Sequence, residues 1–312
     1  MGAQYVIVTP AYNEAGYIAR TIESVIRQTT LPIRWVIVDD GSTDGTAATI
    51  DTYARTHSII RYVRRQRAKD DPYFASNVHA IMEGVRHIRN LSYQFLAVLD
   101  ADIILPPDYY ERILRQFRAD PNLGVASGIY ENLVNGHLQR VLNDRRSTPK
   151  AIQVFRRACF EQIGGYVPLV HGGEDTCACV MARMHGWTTW SFPELKAVHQ
   201  RPAGVRQAHG RLRTRFLQGL REYDLSTHPL FMIAKSLRRC FLEPPLLVGG
   251  ILRLAGYLYG YLKREPRQIP AAVAAYARHE QINRVLYFNH ILPKEKVRIG
   301  TPNARSRISR ST

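Results

Sequence analysis

This sequence lacks, or has little of, the features that mark secreted proteins and proteins with glycine-rich nucleotide-binding loops. The 312 residues contain four cysteines, which are too few for a disulfide framework and fit a reducing compartment. Neither G-x-G-x-x-G nor G-x-x-x-x-G-K-[ST] occurs, so the dinucleotide and P-loop fingerprints are excluded. The N terminus, Met1-Gly2-Ala3-Gln4, has no basic segment before a long apolar run, so we expect no secretory signal.

Acidic residues are scarce in one part of the chain. Residues 1–200 carry 22 Lys and Arg against 20 Asp and Glu, net +2, whereas residues 201–312 carry 21 against six, net +15. A polycationic segment of this kind favours an anionic partner, either a membrane surface or nucleic acid. The overall composition, 45% hydrophobic and 22% charged, is that of a globular protein and excludes a disordered, collagenous or coiled-coil chain.

The first 130 residues alternate short apolar runs with amphipathic helical patterns. Buried strands are predicted at residues 5–8, 35–38, 59–63 and 95–99. Helices are predicted after Asn13, after a cap at Thr43 or Asp44, over residues 78–88, and from Pro107. Apolar strands alternating with amphipathic helices indicate a parallel α/β sheet covered on both faces.

Polar clusters follow three of these strands. They are Thr9-Pro10-Ala11-Tyr12-Asn13-Glu14, Asp39-Asp40-Gly41-Ser42 and Asp100-Ala101-Asp102. In a parallel α/β sheet the carboxyl ends of the strands lie on one edge, and ligands bind beyond that edge. The sequence therefore predicts that the three clusters meet at one ligand site.

The acidic residues of these clusters suit a nucleotide and a metal ion. Asp100 and Asp102 can converge on Mg²⁺ or Mn²⁺, which then bridges to phosphates, although a solvated acidic turn would look the same. Asp40 can accept hydrogen bonds from a base or ribose, while Asp39 or Ser42 shapes the turn.

A second acidic pair lies later in the chain. Glu174-Asp175 follows two glycines and precedes a helix, so a carboxylate there can serve as general base toward a hydroxyl, or can simply stabilise the helix N terminus. His199, near the end of a predicted strand, can complete a metal shell. Residues 124–200 are predicted to contain strands at residues 125–130, 187–192 and 197–199 and a helix at residues 156–163.

Together these segments resemble glycosyltransferase family 2, whose members are inverting enzymes with the GT-A fold. The resemblance runs from about Tyr5 to His199, roughly two thirds of the chain. Its motifs occur in the family's order: Thr9-Pro-Ala-Tyr-Asn-Glu14, Val38-Asp-Asp-Gly-Ser-Thr-Asp44, Leu99-Asp-Ala-Asp102 and Gly173-Glu-Asp175. The resemblance implies a Rossmann-like nucleotide-binding sheet, parallel or mixed, flanked by helices and followed by a helical C-terminal region.

The resemblance also assigns roles to residues. It implies that the nucleotide sugar is contacted by Thr9, Pro10, Ala11, Tyr12, Glu14, Asp40, Asp100, Ala101 and Glu174. It implies Mn²⁺ or Mg²⁺ bound by Asp102, with His199 as a further ligand, and Asp175 as the catalytic base. The chain departs from the family in one place, because many relatives carry Arg-Asn-x-Gly where it has Ser76-Asn77-Val78-His79-Ala80.

The expected organisation has three parts. Residues 1–204 form the GT-A catalytic domain, with a nucleotide-binding half at 1–123 and an acceptor half at 124–204. Residues 205–290 form a basic, apolar, membrane-associating helical region, and 291–312 a basic tail. A basic helix is predicted at 206–223. Residues 246–262 are apolar nearly all round except Arg253, which favours a buried or interfacial helix over a single membrane span.

The expected function is transfer of a sugar from a nucleotide-diphospho-sugar to a glycan or lipid-linked glycan in surface polysaccharide synthesis. The expected place is the cytoplasmic side of the plasma membrane, bound peripherally to anionic lipid, with no nucleic acid partner. Transfer to a polyprenyl phosphate remains an alternative. A nucleotidyltransferase would share the strand-end site but gives no reason for Glu174-Asp175, and a nucleic-acid binder is suggested only by the pI of about 10.0.

Overall fold

A mixed sheet lies at the centre of the protein, whose computed structural model describes residues 4–141, 144–201, 210–242 and 245–286. Within those residues the sheet has nine strands: β1 Tyr5–Ala11, β2 Arg34–Asp39, β3 Ile60–Arg64, β4 Phe95–Leu99, β5 Ile103–Ile104, β6 Leu123–Val134, β7 His137–Arg140, β8 Ile152–Arg156 and β9 Thr188–His199. Their order is β3-β2-β1-β4-β8-β6-β9-β5, and β7 pairs with β6.

The described part of the chain also contains ten helices. They are α1 Ile18–Ile26, α2 Thr46–Thr56, α3 Tyr73–Arg86, α4 Tyr109–Ala119, α5 Arg157–Gln162, α6 Glu174–Met184, α7 Arg211–Asp224, α8 Pro229–Leu242, α9 Val248–Lys263 and α10 Ala271–Leu286. The boundary at α2 differs slightly from expectation. The helix begins at Thr46 and not directly after the predicted cap at Thr43 or Asp44. Asp44 accepts a hydrogen bond from the Thr46 N–H at 3.0 Å.

Strands β3, β2, β1 and β4 are parallel and form the half of the sheet predicted from the apolar runs. Because side chains alternate along a strand, Ile7 and Ile37 pack in a core with α1 on one face, and Val8 and Val38 pack in another core with α3 on the other. Both faces are buried, which is why these strands are continuously apolar.

The second half of the sheet is mostly antiparallel. Strand β8 pairs antiparallel with both β4 and β6, while β6 and β9 run parallel. The segments predicted as separate strands at 187–192 and 197–199 form the single strand β9, whose pairing with β6 shifts register beside Gly128. A Cβ on Gly128 would lie 2.1 Å from the carbonyl oxygen of Leu195, so glycine permits this close approach. The sequence analysis did not predict β5, β7 or β8.

The C-terminal helices pack together and against the catalytic part. The predicted basic helix is α7, whose first expected residues, 206–209, fall outside the described part, as does the expected tail from 291 on. The predicted helix at 246–262 is α9, which buries Gly249, Arg253 and Gly256 on one face and exposes apolar residues on the other. No helix within the described ranges is both long and apolar enough to cross a membrane.

The predicted boundary at residue 204 lies in the undescribed segment 202–209. The two sides of this boundary nevertheless share a core, because Val273 and Ala277 of α10 belong to the same apolar cluster as Cys177 and Met181 of α6. The four cysteines form no disulfide and are all buried.

Candidate active site

The three polar clusters meet at one edge of the sheet, as predicted. Strands β1, β2 and β4 are adjacent and parallel, so Ala11, Asp39 and Leu99 end on the same side. Asn13 links two of the following loops: its N–H donates to Ser42 Oγ at 2.9 Å, and its Oδ1 accepts from the Thr43 N–H at 2.8 Å.

The first cluster supplies both buried groups and groups that are partly open to solvent. Thr9 is fully buried and its Oγ1 accepts a hydrogen bond from Trp35 Nε1 at 2.9 Å, so this hydroxyl helps hold the sheet. Pro10 and Ala11 complete β1, and the Tyr12 ring lies in the loop with the Arg67 guanidinium 4.8 Å from its centroid. Nucleotide contacts by these residues stay a prediction.

Asp40 is buried at the end of β2 and is surrounded by donors. Its carboxylate accepts hydrogen bonds from Arg65 and, at 2.6 Å, from Ser76 Oγ. Burial raises the pKa of Asp40, although the bonds to Ser76 and Arg65 oppose the rise. Arg65 also pairs with Asp71 at 3.1 Å. The guanidinium beside Asp40 is therefore that of Arg65, the residue after β3, and Ser76 of α3 supplies the second contact.

Asp39 shapes the turn after β2. The sequence analysis predicted this role for either Asp39 or Ser42. Its Oδ1 accepts the N–H of Ser42 at 2.9 Å and closes the turn in which Gly41 has φ of 79°. Only glycine adopts this left-handed conformation without strain.

Asp100 and Asp102 point to different partners. Asp100 Oδ1 accepts from Lys150 Nζ at 2.6 Å. Asp102 Oδ2 lies 3.1 Å from His199 Nε2 and 2.7 Å from Arg201 Nε. Burial alone would raise the pKa of Asp102, but His199 and Arg201 hold it below its ordinary value.

The pair of predicted metal ligands, Asp102 and His199, is therefore brought together. Oxygen and nitrogen ligands of one octahedral cation lie roughly 3 Å apart, which matches their spacing. Asn132 Oδ1 lies 3.1 Å from His199 Nδ1 and orients the ring in the way that outer partners orient metal-binding histidines. Arg201 contacts the same Asp102 oxygen and also Glu14 Oε1, at 2.6 Å, so a cation bound there would displace the guanidinium.

Glu174 and Asp175 begin α6, because Gly172 and Gly173 turn the chain with φ of 80° and 100°. Glu174 is 4% exposed, and burial raises its pKa to about 7 even though the Lys150 ammonium lowers it. Asp175 is half-buried, and its Oδ1 accepts the N–H of Thr176 at 2.7 Å.

Lys150 connects the two acidic pairs, and the sequence analysis missed it. Its ammonium lies 2.6 Å from Asp100 and 2.9 Å from Asn77 Oδ1, and its backbone N–H lies 3.4 Å from Asp175 Oδ2. Burial opposes the charged ammonium, but the carboxylates of Asp100 and Glu174 raise the pKa of Lys150. The sequence around a single lysine in an irregular segment does not predict that this lysine contacts two motifs distant in sequence.

Arg65, Tyr130 and Arg201 were also missed. The Tyr130 ring packs edge-on against His199 with centroids 5.2 Å apart, and burial together with Asp175 raises the pKa of Tyr130 to about 12. Each of these residues follows or lies within a strand, and only the pairing of the strands brings it to the site.

The loop before α6 is held in place by a contact with α7. His171 Nδ1 lies 2.7 Å from Asp224 Oδ2 on α7, and this hydrogen bond raises the pKa of His171. With Glu265, these side chains are the one group of three His, Cys, Asp or Glu in the described ranges whose ligand atoms lie within 4.8 Å of one another. The anchor ties the Glu174-Asp175 loop to the C-terminal helices.

A mixed sheet with polar clusters beyond the carboxyl ends of its parallel strands is typical of α/β proteins that bind a ligand at that edge. Residues 6–183, more than half of the chain, match the family described as Glycosyl transferase family 2. The chain belongs to this family, and the resemblance carried by its ordered motifs is confirmed.

Relatives of known activity match over part of their length. A chondroitin synthase from Escherichia coli is 34% identical over 117 residues, which are 38% of this chain and 16% of that protein. A poly-beta-1,6-N-acetyl-D-glucosamine synthase from Staphylococcus epidermidis is 28% identical over 117 residues, covering 38% and 26%. The chain thus matches about a quarter or less of the length of these relatives.

Solved structures confirm the predicted GT-A fold. A mannosyltransferase from Pyrobaculum calidifontis in complex with GDP-Man and Mn²⁺ has a TM-score of 0.56 at 18% identity, covering 93% of this chain and 82% of that one. S. aureus TarS 1–349 in complex with UDP-GlcNAc has a TM-score of 0.51 at 15% identity, covering 70% and 65%.

Proposed function

We propose that the chain is an inverting glycosyltransferase that moves a sugar from a nucleotide-diphospho-sugar to a hydroxyl of a glycan or lipid-linked glycan in surface polysaccharide biosynthesis. The observation that carries the proposal is the convergence, at one sheet edge, of the strand-end carboxylates with the Glu174-Asp175 pair, joined through Lys150. Membership of glycosyl transferase family 2 and the polysaccharide synthases among the relatives support it.

In the proposed reaction, Asp175 accepts the proton of the acceptor hydroxyl as that oxygen attacks the anomeric carbon. The new bond joins the acceptor oxygen to the anomeric carbon, and the bond from that carbon to the β-phosphate oxygen breaks. The nucleoside diphosphate leaves with the bonding electrons. Because attack comes from the face opposite the leaving group, an α-linked donor gives a β-linked product. Asp175 suits the base because it is the less buried of the two carboxylates at the start of α6.

We propose that Asp102 and His199 hold a divalent cation, Mn²⁺ or Mg²⁺. The charge and donor set of Asp102 and His199 fit such a cation, which would compete with Arg201 for the Asp102 carboxylate. When bound, such a cation neutralises the charge that develops on the leaving diphosphate. The chain's own Lys150 contributes positive charge beside Asp100 at the same edge.

We place the protein peripherally at the cytoplasmic side of the plasma membrane. The net charge of +15 over residues 201–312 supports attraction to anionic lipid, at about 1 kcal/mol per Lys or Arg near the surface. A membrane location also suits a lipid-linked acceptor. A polyprenyl phosphate is a second candidate acceptor, favoured by the exposed apolar residues of α8 and α9, and the test is radiolabelled sugar transfer to it in detergent.

Calorimetric binding of UDP, GDP, dTDP and CDP, each with and without Mn²⁺, tests the proposed donor site. We expect one nucleotide to bind with micromolar affinity in a metal-dependent way, and Asp102→Ala to remove the metal dependence. Lys196→Met, an exposed substitution on β9, serves as the control. Binding of none of the four by folded wild-type protein would contradict the proposal.

A further inference from the structure

Three side chains that can ligate a metal ion meet where the loop before α6 contacts the ends of α7 and α9. His171 directly precedes the glycine turn, Asp224 is the last residue of α7, and Glu265 follows α9. One imidazole nitrogen and two carboxylate oxygens of these residues all lie within 4.8 Å of one another. We call the three side chains the His-Asp-Glu cluster. They have no part in the proposed sugar transfer.

The protein itself pairs only one of the two carboxylates in this cluster. Asp224 Oδ2 lies 2.7 Å from His171 Nδ1. The Glu265 carboxylate, in contrast, forms no hydrogen bond or ion pair with any residue in the described ranges. Arg267, two residues further on, lies instead over two tyrosine rings, 4.6 and 5.0 Å from their centroids. Because two carboxylates this close together repel each other, they favour a cation between them.

Both carboxylates act on the same imidazole. The hydrogen bond with Asp224 raises the pKa of His171, burial opposes the rise, and the charges of Asp224 and Glu265 add to it. The side chain of Asp224 is 5% exposed and that of His171 is 20% exposed. The cluster is therefore largely shielded from water, while an ion can still reach it from solvent.

The segments that carry the three side chains are tied to one another. The Tyr223 hydroxyl donates to the carbonyl oxygen of Glu265 at 2.8 Å, which joins the end of α7 to the segment after α9. The Val170 N–H donates to Gln268 Oε1 at 2.9 Å, which joins the same segment to the loop before α6. The ligand atoms are thus presented from fixed backbone, and only side-chain rotation is needed to close them on an ion.

Zinc is the ion that this set of donors suits. Imidazole with carboxylates is a common zinc ligand set, whereas Mg²⁺ and Ca²⁺ prefer oxygen ligands alone. A neutral imidazole and two carboxylates also balance the charge of a divalent cation. Ligand atoms around a tetrahedral zinc ion lie roughly 3.3 Å apart, so the separations of 2.7 Å and of up to 4.8 Å require only small side-chain rotations.

We propose that His171, Asp224 and Glu265 bind one Zn²⁺ ion, with water in the remaining position, and that this ion fixes the turn that carries Glu174-Asp175. His171 coordinates the ion through Nδ1, so two metal bonds replace its hydrogen bond with Asp224. A proton held at Nδ1 is released to solvent. The inference goes beyond the proposed sugar transfer and does not depend on it, because none of the three ligands contacts donor or acceptor in that proposal.

Calorimetric titration of the full chain with Zn²⁺ tests the site. The titration uses Asp102→Ala as the parent protein, so that the metal site proposed for the donor does not contribute, and a slightly alkaline buffer, in which histidine is neutral. We expect the parent to bind one ion with roughly micromolar affinity and His171→Ala to bind it at least about tenfold more weakly. His185→Ala, which removes an exposed histidine at the end of α6, is the matched control and should bind as the parent does.

A second variant tests the carboxylate that the protein leaves unpaired. Glu265→Gln should weaken Zn²⁺ binding by about tenfold or more, because it removes one charged ligand. Glu161→Gln makes the same change of charge at an exposed position and should have no effect. Because Glu265 has no side-chain partner in the described part of the chain, Glu265→Gln should fold like the parent and keeps the test decisive if His171→Ala does not fold.

Substitution with Co²⁺ provides a readout of coordination that is independent of activity. Co²⁺ takes the place of Zn²⁺ in sites with nitrogen and oxygen ligands, and its visible absorption depends on the geometry around the ion. We expect a visible band in the parent and in His185→Ala that is lost in His171→Ala and is displaced by added Zn²⁺. Excess Mg²⁺ should leave the band unchanged, because Mg²⁺ does not favour an imidazole ligand.

Two results would overturn the proposal. One is the absence of saturable Zn²⁺ binding by the folded parent, which would mean that a protonated His171 alone neutralises the two carboxylates. The other is equal Zn²⁺ affinity in the parent, His171→Ala and Glu265→Gln, which would place the ion elsewhere on the surface.

Nucleotide binding by the wild-type chain, measured by calorimetry, separates this proposal from the proposed function. Zn²⁺ binding at the cluster with no nucleotide binding would leave the cluster assigned and contradict the transferase proposal. Nucleotide binding with no Zn²⁺ binding would contradict the cluster proposal alone.

Discussion

Lys150 organises the site at the scale of single residues. Its ammonium contacts Asp100 and Asn77, and its backbone N–H faces Asp175, so one residue links the end of β4 with α3 and the start of α6. The Lys150 side chain is 13% exposed, and nearby carboxylates stabilise an ammonium so largely removed from water, which in turn holds them in place. The positions of the two acidic motifs therefore depend on a residue that belongs to neither motif.

Removing the Lys150 charge should weaken donor use. We expect Lys150→Met to raise the donor KM by roughly 10- to 100-fold, the range for a lost hydrogen bond between charged groups, with a smaller effect on kcat. Lys150→Arg should restore part of the loss. Steady-state kinetics with varied donor concentration measures this, and Lys196→Met is the exposed control. Equal KM values for the two methionine variants would show that Lys150 does not position the donor site.

We expect the two carboxylates at the start of α6 to contribute unequally to turnover. Asp175→Asn should reduce turnover by about 10²–10⁴-fold while nucleotide binding is retained, because it removes the general base but not the donor site. Glu174→Gln should reduce turnover much less, because Glu174 is buried. Product formation and calorimetry on both variants measure this. The opposite ranking would assign the base to Glu174, whose pKa of about 7 also suits proton transfer.

At the scale of elements, glycines decide how α7 and α9 pack. A Cβ on Gly256 would lie 2.0 Å from the carbonyl oxygen of Phe216, and one on Gly219 would lie 2.0 Å from that of Arg253. The two backbones therefore touch directly. The sequence favoured a buried or interfacial helix at residues 246–262, and α9 packs closely against α7 through these glycines.

A single added methyl group should separate these helices. Gly256→Ala should lower the free energy of unfolding by about 1–3 kcal/mol through overpacking, although alanine is intrinsically a better helix former than glycine by about 1 kcal/mol. Urea denaturation measures the change. Gly210→Ala is the control, because a Cβ there would meet nothing within 4 Å. A gain in stability at Gly256 would mean that propensity outweighs the backbone contact.

At the scale of the whole molecule, one glutamate joins the C-terminal helices to the catalytic part. Glu280 of α10 accepts from Arg183 of α6 through both oxygens at 2.8 Å and from Arg146 at 2.6 Å. Burial would raise the pKa of Glu280, but the bonds to Arg183 lower it. Because α10 also adds apolar residues to the core around α6, the helical region is continuous with the catalytic part there.

Neutralising Glu280 should destabilise this junction. We expect Glu280→Gln to lower the free energy of unfolding at pH 7 by up to about 3 kcal/mol, because Arg183 remains largely buried without its counter-charge. The lowered pKa means that this stabilisation is present above the ordinary glutamate pKa of about 4.3 and is lost as pH falls through the folded-state value. Wild type and variant should therefore converge in acid.

Urea denaturation at a series of pH values measures this prediction. Glu161→Gln removes an exposed pair with Arg157 and is the control, expected to change stability by less than about 1 kcal/mol. A constant difference between wild type and Glu280→Gln across the acid range would contradict the ionic explanation.

The sequence by itself determined the parallel half of the sheet and the edge at which the ligand site lies. Runs such as residues 5–8 and 35–38 are apolar on both faces, and this pattern requires burial between helix layers. Once the strands are parallel, the carboxyl-end clusters containing Glu14, Asp40 and Asp102 must share an edge. The ordered motifs then indicated the family.

Only the tertiary structure decided which cations meet those carboxylates. Lys150, Arg65 and Arg201 reach Asp100, Asp40 and Asp102 across 25 to 99 residues of sequence. The pairing of β8 with β4, of β3 with β2 and of β9 with β5 brings them together. No local pattern specifies such a contact, because its energy depends on burial and on strand order, which are properties of the whole chain. The same holds for Gly256, whose role appears only when α7 lies against α9.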